Sequence, residues 1–240
     1  MQDVASLLSR LAADGGRPRL TWYGDDGERV ELSGAVLANW ASKTVNLLVE
    51  EFDAAPGTLV VVDLPVHWRT AVWTLAAWRV GATVALPGAD ARQADVVVTD
   101  TPDRWAGTRA ELVVVSLPAL ARAYDGDLPA GAIDAASAVM TYGDAMGWVP
   151  AVDPGQDALV TGVGAVGHQE LVPEPGDGAR VLVDGRGPVA DVLRELLGVW
   201  AGGGSVVLTS RASAAELERD ETRLTRLLST EQAQRRPSAR

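Results

Sequence analysis

Short runs of apolar residues set the limits on this fold. Leu59-Val-Val-Val-Asp63, Asp95-Val-Val-Val-Thr99, Glu111-Leu-Val-Val-Val115, Arg180-Val-Leu-Val183 and Ser205-Val-Val-Leu208 are apolar at successive positions. A strand with one wet face would alternate, so each run reads as a strand covered on both faces, the pattern of a parallel sheet. Thr83-Val-Ala-Leu86 and Ala158-Leu-Val-Thr161 are weaker versions. Between the runs the apolar period changes to three and four. From Ser33, a good N-cap, Leu37, Trp40, Ala41, Thr44, Leu48 and Phe52 form one stripe, closed by Pro56-Gly57. Residues 67–80 and 189–200 read the same way. Strands alternating with helices of this length predict an α/β fold: an open, mostly parallel sheet with helices on both faces, in three layers.

Residues 4–13 read as a short amphipathic helix. Leu20–Tyr23, a Gly24–Gly27 turn and Arg29–Leu32 predict an N-terminal β-hairpin. Residues 124–156, rich in Gly, Pro, Asp and Ala, read as a long surface excursion with one helical turn around Ala132–Met140. Ser213 is read as the cap of a final helix carrying Leu217, Leu224 and Leu228. Residues 1–229 are expected to form one α/β domain and 230–240 a disordered tail.

Composition excludes several chemistries. With no cysteine among 240 residues, thiol catalysis, thiolate metal sites and disulfides are ruled out. Two histidines, His67 and His168, make a multi-histidine metal site a poor expectation, and no metal is assigned. Twenty-one basic residues against 32 acidic give a net charge of −11, which disfavours nucleic acid and anionic lipid as partners. No apolar run reaches the roughly 18 residues of a membrane span, and the start lacks a basic signal region, so a cytoplasmic protein is expected. Lys43 is the only lysine. A mechanism needing a lysine must use it.

The order of these segments resembles the N-terminal part of the AMP-forming acyl-CoA synthetases and related adenylating enzymes. The resemblance lies in Pro18-Arg-Leu-Thr-Trp22, Leu32-Ser-Gly-Ala-Val-Leu-Ala-Asn-Trp40, Pro56-Gly-Thr-Leu-Val-Val-Val-Asp-Leu-Pro65 and Ala71-Val-Trp-Thr-Leu-Ala-Ala-Trp-Arg-Val-Gly-Ala-Thr-Val84, with Asp95–Asp100 and Ala201–Leu208 as later strands. It covers about residues 17–115 and, more weakly, 157–210. In that family a strand leads into a phosphate loop of hydroxyl residues, glycines and a lysine. Here Ala158–Thr161 leads into Gly162-Val-Gly-Ala-Val-Gly-His-Gln-Glu170. Gly164 and Gly167 fall on the family's glycines. Val163, Ala165 and Val166 offer no hydroxyl, and Glu170 stands where the lysine would be. The sequence stops short of the family's later nucleotide motifs and C-terminal domain. The resemblance therefore implies the fold and argues against the activity. A small group of bacterial proteins resembles this chain closely in lacking a working phosphate loop.

Gly162-x-Gly-x-x-Gly167 also spells the dinucleotide fingerprint, with Asp184 at the distance of a ribose-binding carboxylate. That use needs a helix opening at the third glycine, and Pro173 and Pro175 leave little more than a turn. His168 reads as a solvated loop residue and His67 as a first-turn residue of the second long helix. Of the eight tryptophans, Trp40, Trp68, Trp78 and Trp200 fall on buried helical faces. Trp73, Trp105 and Trp148 do not, and are the interface candidates.

The expectation is a non-catalytic relative of the adenylating-enzyme N-terminal domain that uses no cofactor. Gly162, Gly164, Gly167, His168 and Glu170 mark a relic crevice for a small acyl or nucleotide-like ligand. A homo-oligomeric or other protein partner is the companion expectation. The alternatives are a dinucleotide-binding enzyme with Asp184 on the ribose, and an AMP-forming ligase fragment completed by another chain.

Overall fold

A computed structural model describes residues 3–236, excepting the side chain of Asp26. The elements are α1 (Val4–Ala13), β1 (Pro18–Tyr23), β2 (Arg29–Ser33), α2 (Gly34–Phe52), β3 (Leu59–Asp63), α3 (Trp68–Arg79), β4 (Thr83–Ala85), β5 (Val96–Thr99), β6 (Glu111–Val114), β7 (Ile133–Asp134), α4 (Ala135–Ala138), β8 (Asp157–Thr161), β9 (Gly164–Gly167), α5 (His168–Leu171), β10 (Arg180–Val183), α6 (Val189–Ala201), β11 (Ser205–Thr209), α7 (Arg211–Arg219), α8 (Glu221–Glu231) and β12 (Gln234–Arg235).

The α/β class and the N-terminal hairpin are as the sequence predicts, but the strands divide into two sheets. One has five strands in the order β12-β10-β11-β1-β2, the other seven in the order β7-β6-β5-β3-β4-β8-β9. All pairings are parallel except β1 with β2 and β8 with β9, so each sheet carries one antiparallel edge strand. The five-stranded sheet joins early to late segments: Leu20 of β1 lies opposite Val206 of β11.

One buried cluster runs through both sheets, containing Leu20 and Val206 of the first and Val60 and Val98 of the second, with α1, α2, α3 and α6 among them. The helices α1, α2 and α6 keep apolar stripes toward it. Asp3 caps α1 by accepting the Ser6 N–H at 2.7 Å, and Ser33 caps α2 by accepting that of Val36 at 3.2 Å. α3 is different: Trp68 through Trp78 are all buried. A helix enclosed on every side needs no polar face. Trp73, expected off the buried stripe, is 3 % exposed. It therefore presents no surface to a partner.

The other face of the seven-stranded sheet forms a separate cluster of Val61, Ala85, Val97, Leu112 and Val114. Ala91, Trp105, Tyr124 and Ala132 are among the partly buried residues packed against it. On the five-stranded sheet α6 packs on one face. On the other, Glu231 of α8 accepts hydrogen bonds from Tyr23, Arg29 and Arg180, tying β1, β2 and β10 together.

The expected last helix is two. Ser210, not Ser213, caps α7, accepting the Ser213 N–H at 3.0 Å, and Asp220 caps α8, accepting that of Arg223 at 2.9 Å. Of the stretch expected as a tail, Gln234–Arg235 pair with β10, and residues 237–240 lie outside the described residues.

Candidate ligand cleft

Parallel sheets expose their loops at the carboxyl ends of the strands, where α/β proteins commonly build ligand sites. Here those ends from both sheets meet around a cleft of about 940 Å3. The five-stranded sheet contributes Trp22 and the Gly24–Glu28 turn after β1, Gly185 and Gly187 after β10, and Ser210–Ala212 after β11. The seven-stranded sheet contributes Pro65, Val66 and His67 after β3, and Leu117 and Pro118 after β6. The loop after β10 lies so close to β11 that a Cβ on Gly185 would collide with the Thr209 carbonyl.

The polar groups of the wall are mostly paired. Glu28 accepts the Trp22 indole N–H at 2.9 Å on one oxygen and the Ala119 N–H at 2.8 Å on the other. Ser210 donates its hydroxyl to Asp25 at 2.5 Å, and Ser213 donates to the Gly24 carbonyl at 2.6 Å. Arg69, buried at the start of α3, lies 4.3 Å from the Trp68 ring centre and donates to the carbonyls of Leu117, Pro118 and Ala119. Burial lowers its pKa to about 10, against the pull of Glu28.

His67 is the N-cap of α3, and its Nδ1 accepts the Arg69 N–H at 3.1 Å. Its ring meets that of Trp22 edge-on, centres 4.5 Å apart. Burial first, and the Arg69 charge second, push its pKa down to about 3, so it is neutral at ordinary pH. α6 and α7 also begin at the cleft, through Val189 and Ser210. Helix starts carry amide donors without helical partners and a partial positive charge.

The residues singled out from the sequence lie elsewhere. Gly162 and Val163 form the tight turn of the β8–β9 hairpin, with Thr161 opposite Gly164, and Val163 at its tip is 99 % exposed. Gly164 and Gly167 bound the strand β9. The glycine run is thus a projecting hairpin rather than the wall of a crevice. His168 is not solvated: it is 7 % exposed, with its pKa lowered by burial, and it faces a separate small cavity beside Trp78 and Asp3. Glu170 is exposed on the four-residue α5.

Asp184 directly follows β10 of the five-stranded sheet, whereas Gly162–Gly167 make the turn into β9, and β9 itself, in the seven-stranded one. The fingerprint needs the glycine turn and the carboxylate on strands of one sheet, so the dinucleotide arrangement is not formed. Asp184 is instead ion-paired with Arg186 at 2.6 Å. Trp105 is half-buried and donates to Asp63 at 2.9 Å. Trp148 is 77 % exposed. Trp40, expected in the core, is only half-buried, packing edge-on against Trp68 at 5.5 Å. Lys43 pairs with Asp144 at 2.8 Å and donates to the Tyr142 carbonyl.

Sequence reasoning missed the cleft because the Trp22–Glu28 hairpin, His67 and Leu117 are far apart in the chain. The available signal was positional: Trp22, His67 and Leu117 lie at or just beyond the end of a predicted strand, and Glu28 just before the start of one. Among the described residues no helix is long and apolar enough to cross a membrane.

This architecture is the acyl-CoA synthetase-like fold. An acyl-CoA synthetase of Brucella canis superposes with a TM-score of 0.70 at 17% identity, over 91% of this chain and 46% of that one. An amide bond synthetase from Marinactinospora thermotolerans gives 0.59 at 15% identity, over 91% of this chain and 47% of that one. In sequence, the chain is 42% identical over 161 residues to a TIGR03089 family protein of Mycobacterium tuberculosis, a stretch that spans 63% of each. No family model matches the chain.

Proposed function

We propose that this chain is a non-catalytic, cytoplasmic ligand-binding protein on the acyl-CoA synthetase fold, and that the cleft between its two sheets holds a small acyl-type molecule. The carrying observation is the cleft itself, lined from both sheets at the carboxyl ends of their strands. The absence of adenylation is supported by the β8–β9 hairpin. The segment aligned with the phosphate loop is a tight turn without hydroxyls at Val163, Ala165 or Val166, and Glu170 would repel a triphosphate. Pyrophosphate exchange with ATP and a panel of carboxylic acids tests this half. No exchange above background is expected, and clear ATP-dependent exchange by the purified chain would sink it. A thermal-shift panel of acyl compounds tests the other half, since a ligand that binds only the folded state raises the melting temperature.

A second reading, contact with another protein or a second copy, rests on the exposure of Trp148. It predicts that Trp148→Ala changes sedimentation behaviour while leaving the melting temperature unchanged.

A further inference from the structure

We propose that the cleft selects an apolar ligand carrying an uncharged acceptor oxygen, and that the imidazole N–H of His67 binds that oxygen. This rests on the ligand-binding reading above and names the ligand's chemistry. His67 is 5 % exposed and lines the cleft. Its Nδ1 accepts the Arg69 N–H, which requires a lone pair there and puts the ring proton on Nε2. Nε2 has no hydrogen-bond partner among the described residues. Nε2 is not among the fully buried unpartnered atoms, so this donor opens onto the cleft, where a ligand oxygen can take the place of water.

The neighbouring groups choose the rest of the ligand. Trp22, Pro65, Val66, Leu117 and Val189 make the walls largely apolar, which suits a hydrocarbon body. Asp25 and Glu28 place two carboxylates on the wall against one guanidinium, that of Arg211. Glu28 has both oxygens engaged and Asp25 has one. Their charge counters the Arg211 guanidinium and the partial positive charge at the starts of α6 and α7, so the wall offers an anionic head group no net attraction. A cationic head group would suit the carboxylates but offers nothing to the N–H of His67.

Hexanamide, hexanoate and hexylamine share one tail and separate the three head groups. His67 and His168 are the only histidines, so imidazole-selective 15N spectra of the native protein resolve the site. Hexanamide should shift the His67 Nε2–H resonance and leave His168 in place. It should bind about tenfold more tightly than hexylamine, and more tightly than hexanoate. His67→Asn keeps a capping side chain for α3 but removes the ring donor, and should weaken hexanamide binding about three- to tenfold, the worth of one hydrogen bond.

Equal or tighter binding of hexylamine or hexanoate, an unmoved His67 resonance, or undiminished binding by His67→Asn would overturn the head-group assignment while leaving the cleft a ligand site. Failure of all three compounds to shift the methyl resonances of Val66 or Leu117 would overturn both. Were His67→Asn not to fold, the native His67 resonance alone decides.

Discussion

The carboxylate of Glu28 holds the indole N–H of Trp22 at 2.9 Å and, with its second oxygen, the backbone N–H of Ala119 at 2.8 Å. One side chain thereby fixes the hairpin of the five-stranded sheet to the loop that leaves the seven-stranded one. Glu28→Ala should cost about 1–3 kcal/mol by orphaning the buried indole N–H. It should also speed hydrogen exchange at the Ala119 amide. Unchanged protection there would show that the carboxylate does not hold the loop.

Trp73 and Trp148 should behave as opposites. Trp73→Ala empties a site enclosed by core and should cost about 3–5 kcal/mol in urea unfolding. Trp148→Ala removes a ring that is 77 % exposed and should change stability by under about 0.5 kcal/mol. Similar shifts in the two denaturation midpoints would contradict the burial assigned to both.

Acid sensitivity should come from two directions. Burial alone would raise the Glu231 pKa, but hydrogen bonds from Tyr23, Arg180 and Arg29 hold it below its ordinary value. Its stabilisation is complete above the unfolded pKa, about 4.3, and is lost as pH falls through the lower folded value. Glu231→Gln should therefore be less stable than native at pH 7, with the gap narrowing below about pH 4. His67 acts at higher pH. Burial and Arg69 depress its pKa to about 3, so below about pH 6.5 the unfolded chain takes up a proton that the folded chain does not. Stability should fall from there toward pH 3, and His67→Phe should flatten that slope. An unchanged slope would mean that His67 is not buried neutral.

Gly185→Ala should be destabilising by about 1–3 kcal/mol or more, because the added carbon meets the Thr209 carbonyl and the backbone must move. Gly16→Ala is the control: nothing lies within 4 Å of its new carbon, and its melting temperature should match the native protein.

The strands were legible wherever apolar residues ran on without alternation, as in Leu59–Asp63 and Val96–Thr99. Which strands paired was not, because parallel pairing is decided far along the chain: β1 takes β11 as its neighbour rather than β3. Strand β9 escaped notice because Gly164-Ala-Val-Gly167 carries too few apolar residues to look like a strand. The facing of Trp73 failed because periodicity assumes a wet side that α3 lacks. Ser210 and Ser213 are three residues apart and equally suited to capping. The end of β11 at Thr209 placed Ser210 at the helix start. The cleft was hardest to read, since His67 and Leu117 reach Trp22 and Glu28 only through the meeting of two sheets.

That meeting also sets a timetable for the ribosome. Strands β3 to β9 are contiguous in the chain, so the seven-stranded sheet can assemble from its own strands during synthesis. The β1–β2 hairpin emerges first but gains its other neighbour only when Ser205–Thr209 have left the exit tunnel. At typical elongation rates of about 5–20 residues per second, the early hairpin waits roughly 10–40 s with an open edge. During that wait it is the part of the nascent chain most exposed to mispairing with other strands.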